Sequence, residues 1–192
     1  MFFRSERLFL RPGWPEDWSE IFARIVQESA VQGAPGAHLQ SLGQSLALEA
    51  EAVARLPGRA RFPHFLVTLP GGDGAAIVGC IGLSPEDGEA ELGYWIAAEH
   101  AGKGYATEAA RAVLSLARTL GHPQVTASEY VDSPGSAAVL RKVGFRPTGT
   151  TRPRFSIGRG GESPALIHVA QLGARSDCDG TTDDDGPAMR AA

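Results

Sequence analysis

One stretch changes period as it runs. Residues Glu89–Leu120 read EAELGYWIAAEHAGKGYATEAARAVLSLARTL. Ala90, Leu92, Tyr94 and Ile96 alternate with Glu89, Glu91, Gly93 and Trp95, the period of a pleated strand. Ala106, Ala109, Ala110, Val113, Leu114, Ala117 and Leu120 then recur at helical spacing and share one face. Gly102-Lys103-Gly104 lies between the two segments. The first turn of a helix carries backbone N–H groups without internal partners, and the helix dipole adds partial positive charge there. Glycines let a bulky anion approach that backbone, and Lys103 adds charge, so strand, turn and helix start make a phosphate cradle. The alternative is a tight loop that only joins the two elements. A P-loop is excluded because Gly104, not Ser or Thr, follows Lys103. A dinucleotide fingerprint is disfavoured, with Thr107 at the last glycine position and Val125 and Thr126 where an acid belongs.

The rest of the chain alternates strand and helix signals. Ser5–Arg11 alternates charge and bulk and stops at Pro12, as a first strand does. Trp14-Pro15-Glu16-Asp17 starts a helix whose apolar face is Trp18, Ile21, Phe22, Ile25 and Val26. After a loop at Gln32–Ala37, a second helix is expected over His38–Leu56, ended by Pro57-Gly58. Strands follow at Phe62–Leu69 and Ala76–Leu83, with turns at Pro70–Gly74 and Ser84–Gly88. Gly121-His122-Pro123 stops the central helix, Val125–Val131 is a further strand, and Asp132–Phe145 holds a short helix ended at Gly144.

Composition narrows the class. With 192 residues, 43% hydrophobic and 21% charged, the chain suits one globular domain. The net charge is −4, and Gly173–Ala192 holds five Asp against two Arg, so no nucleic-acid footprint is indicated and none is expected as a partner. This tail, 173–192, is expected to be acidic and disordered. Cys80 and Cys178 suggest neither a disulfide framework nor a metal site, and the five histidines show no metal spacing. No apolar run is long enough to span a membrane, and Met1–Arg11 is too charged for a signal peptide, so a cytoplasmic protein without a membrane partner is expected.

Ala101-Gly102-Lys103-Gly104-Tyr105-Ala106 resembles motif A of the GNAT N-acetyltransferase superfamily, [Q/R]-x-x-G-x-[G/A], with Ala101 where Gln or Arg is usual. The wider string ELGYWIAAEHAGKGYATEA is similar to the RimJ/RimL-like branch, as is the opening strand. That branch also carries N-x-x-S-x-x-V-L-x-K-x-G-F, matched here by Ser136, Val139, Leu140, Lys142, Gly144 and Phe145, with Ser133 in place of Asn. The resemblance covers about Phe3–Leu172, including last strands near Thr148–Ile157 and Pro164–Leu172, and implies one domain over 1–172. It implies an α/β (α+β) GNAT fold: a twisted, mixed, mostly antiparallel sheet of roughly six or seven strands, about four helices, and central fourth and fifth strands that are parallel and splayed.

The resemblance also implies chemistry. Acetyl-CoA is the co-substrate and CoA the product. Its pyrophosphate would lie on Ala101, Gly102, Lys103, Gly104, Tyr105, Ala106 and Thr107, and its pantetheine arm along Ile96, Ala97 and Ala98. Ser133, Ser136 and Lys142 of the second motif complete the cofactor set. The reaction is attack of a neutral amine on a thioester. An α-amine of pKa about 8 is roughly a tenth neutral at pH 7, whereas a lysine of about 10.4 is neutral to less than about a thousandth. Glu91 on the central strand is the candidate base, Glu129 on the next strand the second, and Ser136 the proton donor or sulfur contact. Leu140 stands where many GNAT enzymes have an acid tyrosine, so that mechanism is not available. The implied acceptor is a protein or peptide N-terminus. A small amine (aminoglycoside, polyamine or amino acid) and a non-catalytic acyl-CoA-binding module remain alternatives, as do monomer and homodimer.

Overall fold

The computed structural model describes residues 2–14, 17, 21, 23–24, 61–71, 76–131, 134–156 and 161–173. In chain order the strands and helices are β1 (Phe3–Arg4), β2 (Phe9–Arg11), β3 (His64–Leu69), β4 (Ala76–Glu86), β5 (Glu89–Ile96), α1 (Tyr105–Thr119), β6 (Gln124–Tyr130), α2 (Pro134–Lys142), β7 (Arg146–Ser156) and β8 (Gly161–Gln171). A single 3₁₀ turn, Ala98–His100, follows β5. The strands form one sheet in the order β1-β2-β3-β4-β5-β6-β8-β7. Among the described residues every pairing is antiparallel except β5 with β6. The helix expected over His38–Leu56, Ser133 and the tail beyond Gly173 lie outside the described residues, as does most of the helix expected after Trp14.

The parallel pair sets the shape of the centre. β5 and β6 are in register only at Ala90 opposite Val125 and Glu91 opposite Thr126. Beyond Glu91, β5 keeps its ladder to β4 as far as Ile96 opposite Gly79, while β6 keeps its ladder to β8. The sheet therefore divides at its middle, as the expected splay of the central strands requires.

Helical periodicity packs α1 on β5 and its neighbour β4. Ala109, Ala110, Val113, Leu114 and Ala117 are buried, together with Leu116, against Ala90 and Leu92 of β5 and Val125 and Ala127 of β6. Small alanines let the helix lie close to the sheet, and Val113, fully buried, contributes about 1.5–3 kcal/mol on burial. Gly121, at φ 82°, ends α1, and His122 N–H bonds back to the Ala117 carbonyl at 3.0 Å. Gly144, at φ 94°, ends α2 in the same way through Phe145 N–H and the Leu140 carbonyl. The opposite sheet face has a second apolar cluster of Ile21, Leu66, Cys80, Trp95 and Ala97. Among the described residues no helix is long and apolar enough to cross a membrane.

The opening segment departs from the single strand expected over Ser5–Arg11. The chain bends at Glu6 and Arg7 and forms two short strands that pair with each other, Phe3 opposite Leu10 and Arg4 opposite Phe9. Ser5 closes the bend: its N–H donates to the Leu8 carbonyl at 3.0 Å, and its hydroxyl accepts from Leu8 N–H at 3.3 Å. This bend raises the strand number to eight. β4 also runs past Leu83 to Glu86, so the following turn contracts to Asp87-Gly88, both at positive φ, the geometry of a tight hairpin.

Two glycines of β4 have no room for a side chain. A Cβ on Gly79 would overlap the Trp95 carbonyl oxygen, and one on Gly82 would overlap the His64 ring. A backbone atom cannot swing aside as an imidazole can. Gly79→Ala is expected to destabilise the protein by about 1–3 kcal/mol, and Gly82→Ala by less, as read from urea unfolding midpoints.

Candidate active site

The division between β5 and β6 opens into a cavity of about 410 Å³. One wall comes from β5 (Leu92, Tyr94, Ile96), the other from β6 and α2 (Ala127, Ser128, Ser136, Val139, Lys142), and one end from the turn that leads into α1. That end is built by the glycines. Gly102 and Gly104 take φ 75° and 83°, values open to glycine at little cost. Gly104 is the N-cap of α1, and no side chain caps the helix. The N–H groups of Tyr105, Ala106 and Thr107 thus have no acceptor within the helix and open onto the cavity these residues line. A Cβ on Gly102 would meet nothing within 4 Å, so the space in front of the turn is clear. This is an anion site made from backbone.

A contact from the far end of the chain holds the turn. Glu108, in the first turn of α1, accepts from Ser5 Oγ at 2.6 Å, Arg7 N–H at 2.7 Å and Arg7 Nε at 2.8 Å. Arg7 Nη1 donates to the Lys103 carbonyl at 3.1 Å, and the guanidinium lies 4.9 Å from the centre of the Tyr105 ring. Burial alone would raise the Glu108 pKa, but the Ser5 and Arg7 hydrogen bonds outweigh it and hold it below its usual value.

The two candidate bases occupy opposite faces. Glu91 shares the face of Trp95, away from Leu92 and Tyr94. It is 7% exposed, accepts from the Ser128 hydroxyl, and both its oxygens accept from Arg154 Nη2, at 3.2 and 3.1 Å. Arg154 also bonds Glu86 at 2.7 Å. Glu129 shares the face of Ala127, which lines the cavity. Burial raises its pKa, and His168, 3.0 Å away, offsets part of that rise. Tyr94 donates to the Ser136 carbonyl at 3.4 Å; burial pushes its phenol up to about 12, so it stays protonated at neutral pH.

Of the residues expected to hold acetyl-CoA, Ile96, Ala101, Gly102, Gly104, Tyr105, Ala106, Thr107, Ser136 and Lys142 line one cavity. Ala97 instead packs in the opposite apolar cluster, and neither Ala98 nor Lys103 lines the cavity; Ser133 lies outside the described residues. Neither Glu91 nor Glu129 is among the lining residues. Arg7, Glu108, Arg154 and His168 were not visible as site residues. Their partners are between 39 and 103 residues away, and only His168 left a trace, a polar residue between Leu166 and Ala170 on one strand face.

The description "Acetyltransferase (GNAT) domain" fits residues 7–146 as a sequence family. The chain belongs to the GNAT acetyltransferase family. Its fold is similar to that of an acetyltransferase from Agrobacterium tumefaciens, at 25% identity and TM-score 0.63, covering 89% of this chain and 94% of that one. It is similar to RimL, a ribosomal α-N-protein acetyltransferase in complex with coenzyme A, at 16% identity and TM-score 0.65, covering 89% and 98%. It is also similar to a chimera of the spermidine N-acetyltransferase SpeG from Vibrio cholerae and hSSAT, at 19% identity and TM-score 0.65, covering 87% and 96%. No curated protein sequence matches the chain. In this GNAT protein the anion site at α1 fits the phosphates of CoA in charge and access.

Removing the acceptor that ties the first turn together should be costly. Glu108→Ala is expected to lower stability by about 1–3 kcal/mol in denaturant unfolding, because it removes the acceptor shared by Ser5 Oγ, Arg7 N–H and Arg7 Nε.

Proposed function

We propose that the protein is an N-acetyltransferase that moves the acetyl group of acetyl-CoA to a primary amine, with the α-amine of a protein or peptide N-terminus as acceptor. The observation that carries the reading is the uncapped start of α1 behind Gly102 and Gly104, set at the mouth of the cleft between the diverging β5 and β6. Acetyl-CoA, when bound, supplies an acyl thioester. The amides of Tyr105, Ala106 and Thr107 hold its pyrophosphate, and Lys142 adds a cation along the same wall. The edge of β5 at Ile96 faces the pantetheine arm. Ser136 and Tyr94 stand deeper in the cleft, where a hydroxyl serves the sulfur. The acceptor ammonium must lose a proton before it can attack, and an α-amine loses it far more readily than a lysine. Glu129 suits that task better than Glu91: it carries a raised pKa and its only close charged neighbour among the described residues is His168, whereas Arg154 and Ser128 occupy Glu91. Glu91 then fixes β5 to β6 and β7.

The RimJ/RimL-like string and the RimL likeness favour a protein N-terminus. The SpeG likeness supports a second reading, in which the acceptor is a polyamine. We place the enzyme in the cytoplasm, as a monomer or homodimer.

Calorimetry of acetyl-CoA binding tests the cofactor site. Native protein is expected to bind, and Gly104→Glu to bind at least about ten-fold more weakly, since a side chain there would be built toward Arg7 and strain the φ 83° position, displacing the turn that leads into the amides. Native protein that binds no acetyl-CoA would remove the reading. Given binding, a panel of N-terminal peptides and free polyamines separates the two acceptors.

A further inference from the structure

Glu129 and His168 form a buried polar pair behind the cleft wall, next in sequence and in the sheet to Ala127 and Ser128, which line it. On the β6–β8 ladder Glu129 is opposite Leu166 and Ala127 is opposite His168, so the two side chains are diagonal neighbours on one face. Each is 8% exposed, and His168 Nε2 lies 3.0 Å from Glu129 Oε2. The two atoms are at ion-pair distance but outside hydrogen-bond alignment, and neither has another hydrogen-bond partner among the described residues. The groups that face the pair are few. On β5 Tyr94 feels the charge of Glu129, and on α2 Lys142 lines the same cleft. From β7 the cross-strand neighbour of His168 is the uncharged Pro147. The Glu91–Arg154 ion pair belongs to the other face of the sheet.

A carboxylate held this way has an unspent capacity for a proton beside a cavity where a proton must be received. Resting on the amine-acetylation reading above, we propose that His168 is a positioning residue for Glu129, and that the pair takes up the proton the acceptor ammonium loses. The ammonium gives one proton to Glu129. The freed lone pair forms the N–C bond to the acetyl carbon as the C–S bond breaks, and the second amine proton passes to the departing thiolate. The products are the acetamide and CoA thiol, with the first proton released from Glu129 to solvent. His168 holds the carboxyl in place and, as its ion-pair neighbour, offsets part of the burial that raises its pKa.

The test uses the full chain, Glu129→Gln and His168→Gln. Glu129→Gln is expected to lower kcat by about 100-fold with acetyl-CoA affinity unchanged, the range of a lost general base. His168→Gln is expected to lower kcat by about ten-fold, leave KM for acetyl-CoA unchanged, and move the acid limb of the kcat profile to higher pH. The sign follows from the loss of the neighbour that lowers the Glu129 pKa. Carbon-13 carboxyl NMR of Glu129 reads the same movement without any acceptor amine: its titration midpoint should rise in His168→Gln. An acid limb and a carboxyl titration that both stay in place in His168→Gln, in a protein that still acetylates amines, overturn this inference alone. A native protein that acetylates no amine overturns the reading beneath it and the proton-transfer role together.

Discussion

Among the described residues the strand ladder that joins the halves of the sheet is two parallel residue pairs, Ala90 with Val125 and Glu91 with Thr126. Everything that distinguishes the middle of the molecule follows from that short ladder. β5 stays with β4 and β6 stays with β8, so the halves twist apart under their own pairing. Helices cover the two sides separately: α1 packs its alanine-rich face on β4 and β5, and α2 packs on β6 and on α1. The gap needs a tie where the ladder stops. Glu91 is that tie, because it accepts from Ser128 on β6 and from Arg154 on β7 at the point where backbone pairing ends. A charged network thus stands in for hydrogen bonds that the splay removes.

Glu91 and Glu129 are the same residue type on adjacent strands, nearly equal in burial, yet they differ in what surrounds them. Glu91 meets a guanidinium whose fork matches a carboxylate. Glu129 meets an imidazole, a weaker and titratable neighbour, in a setting that disfavours its charge. The strand pleat alone sends one carboxyl to an arginine network and the other to a buried histidine. Two strand positions of equal promise in sequence acquire different chemistry through which face they share.

The parts of this architecture that depend on local pattern were legible in the sequence. The alanine and valine spacing of α1, the glycines at 102 and 104 and the stop at Gly144 each follow from steric rules within a few residues. Parallel, splayed central strands came from resemblance, since no periodicity reports the direction of a partner strand. What was hidden is long-range. Ser5–Arg11 looks like an unbroken strand because nothing near it announces that Glu108 will draw Ser5 and Arg7 into a bend. The pleat also hid how the two carboxylates differ: alternation places Glu91 and Glu129 on strands but does not say which side chains each will meet. His168 was passed over with the other histidines, as its significance rests on a partner 39 residues away.

The grip of Glu108 on Ser5 and Arg7 orders the site in time as well as in space. The chain emerges from the ribosome N-terminus first, so the bend is made about a hundred residues before the carboxylate that holds it. β1 and β2 wait in the same way for β3, since Phe9 is opposite Thr68. During that interval the opening segment, with Phe2, Phe3 and Phe9, has no core to enter. The anion turn takes its final form only when α1 has been synthesised and the first residues fold back upon it. The beginning of the chain is thus secured only after α1 exists, and the nascent protein has no completed anion site until then.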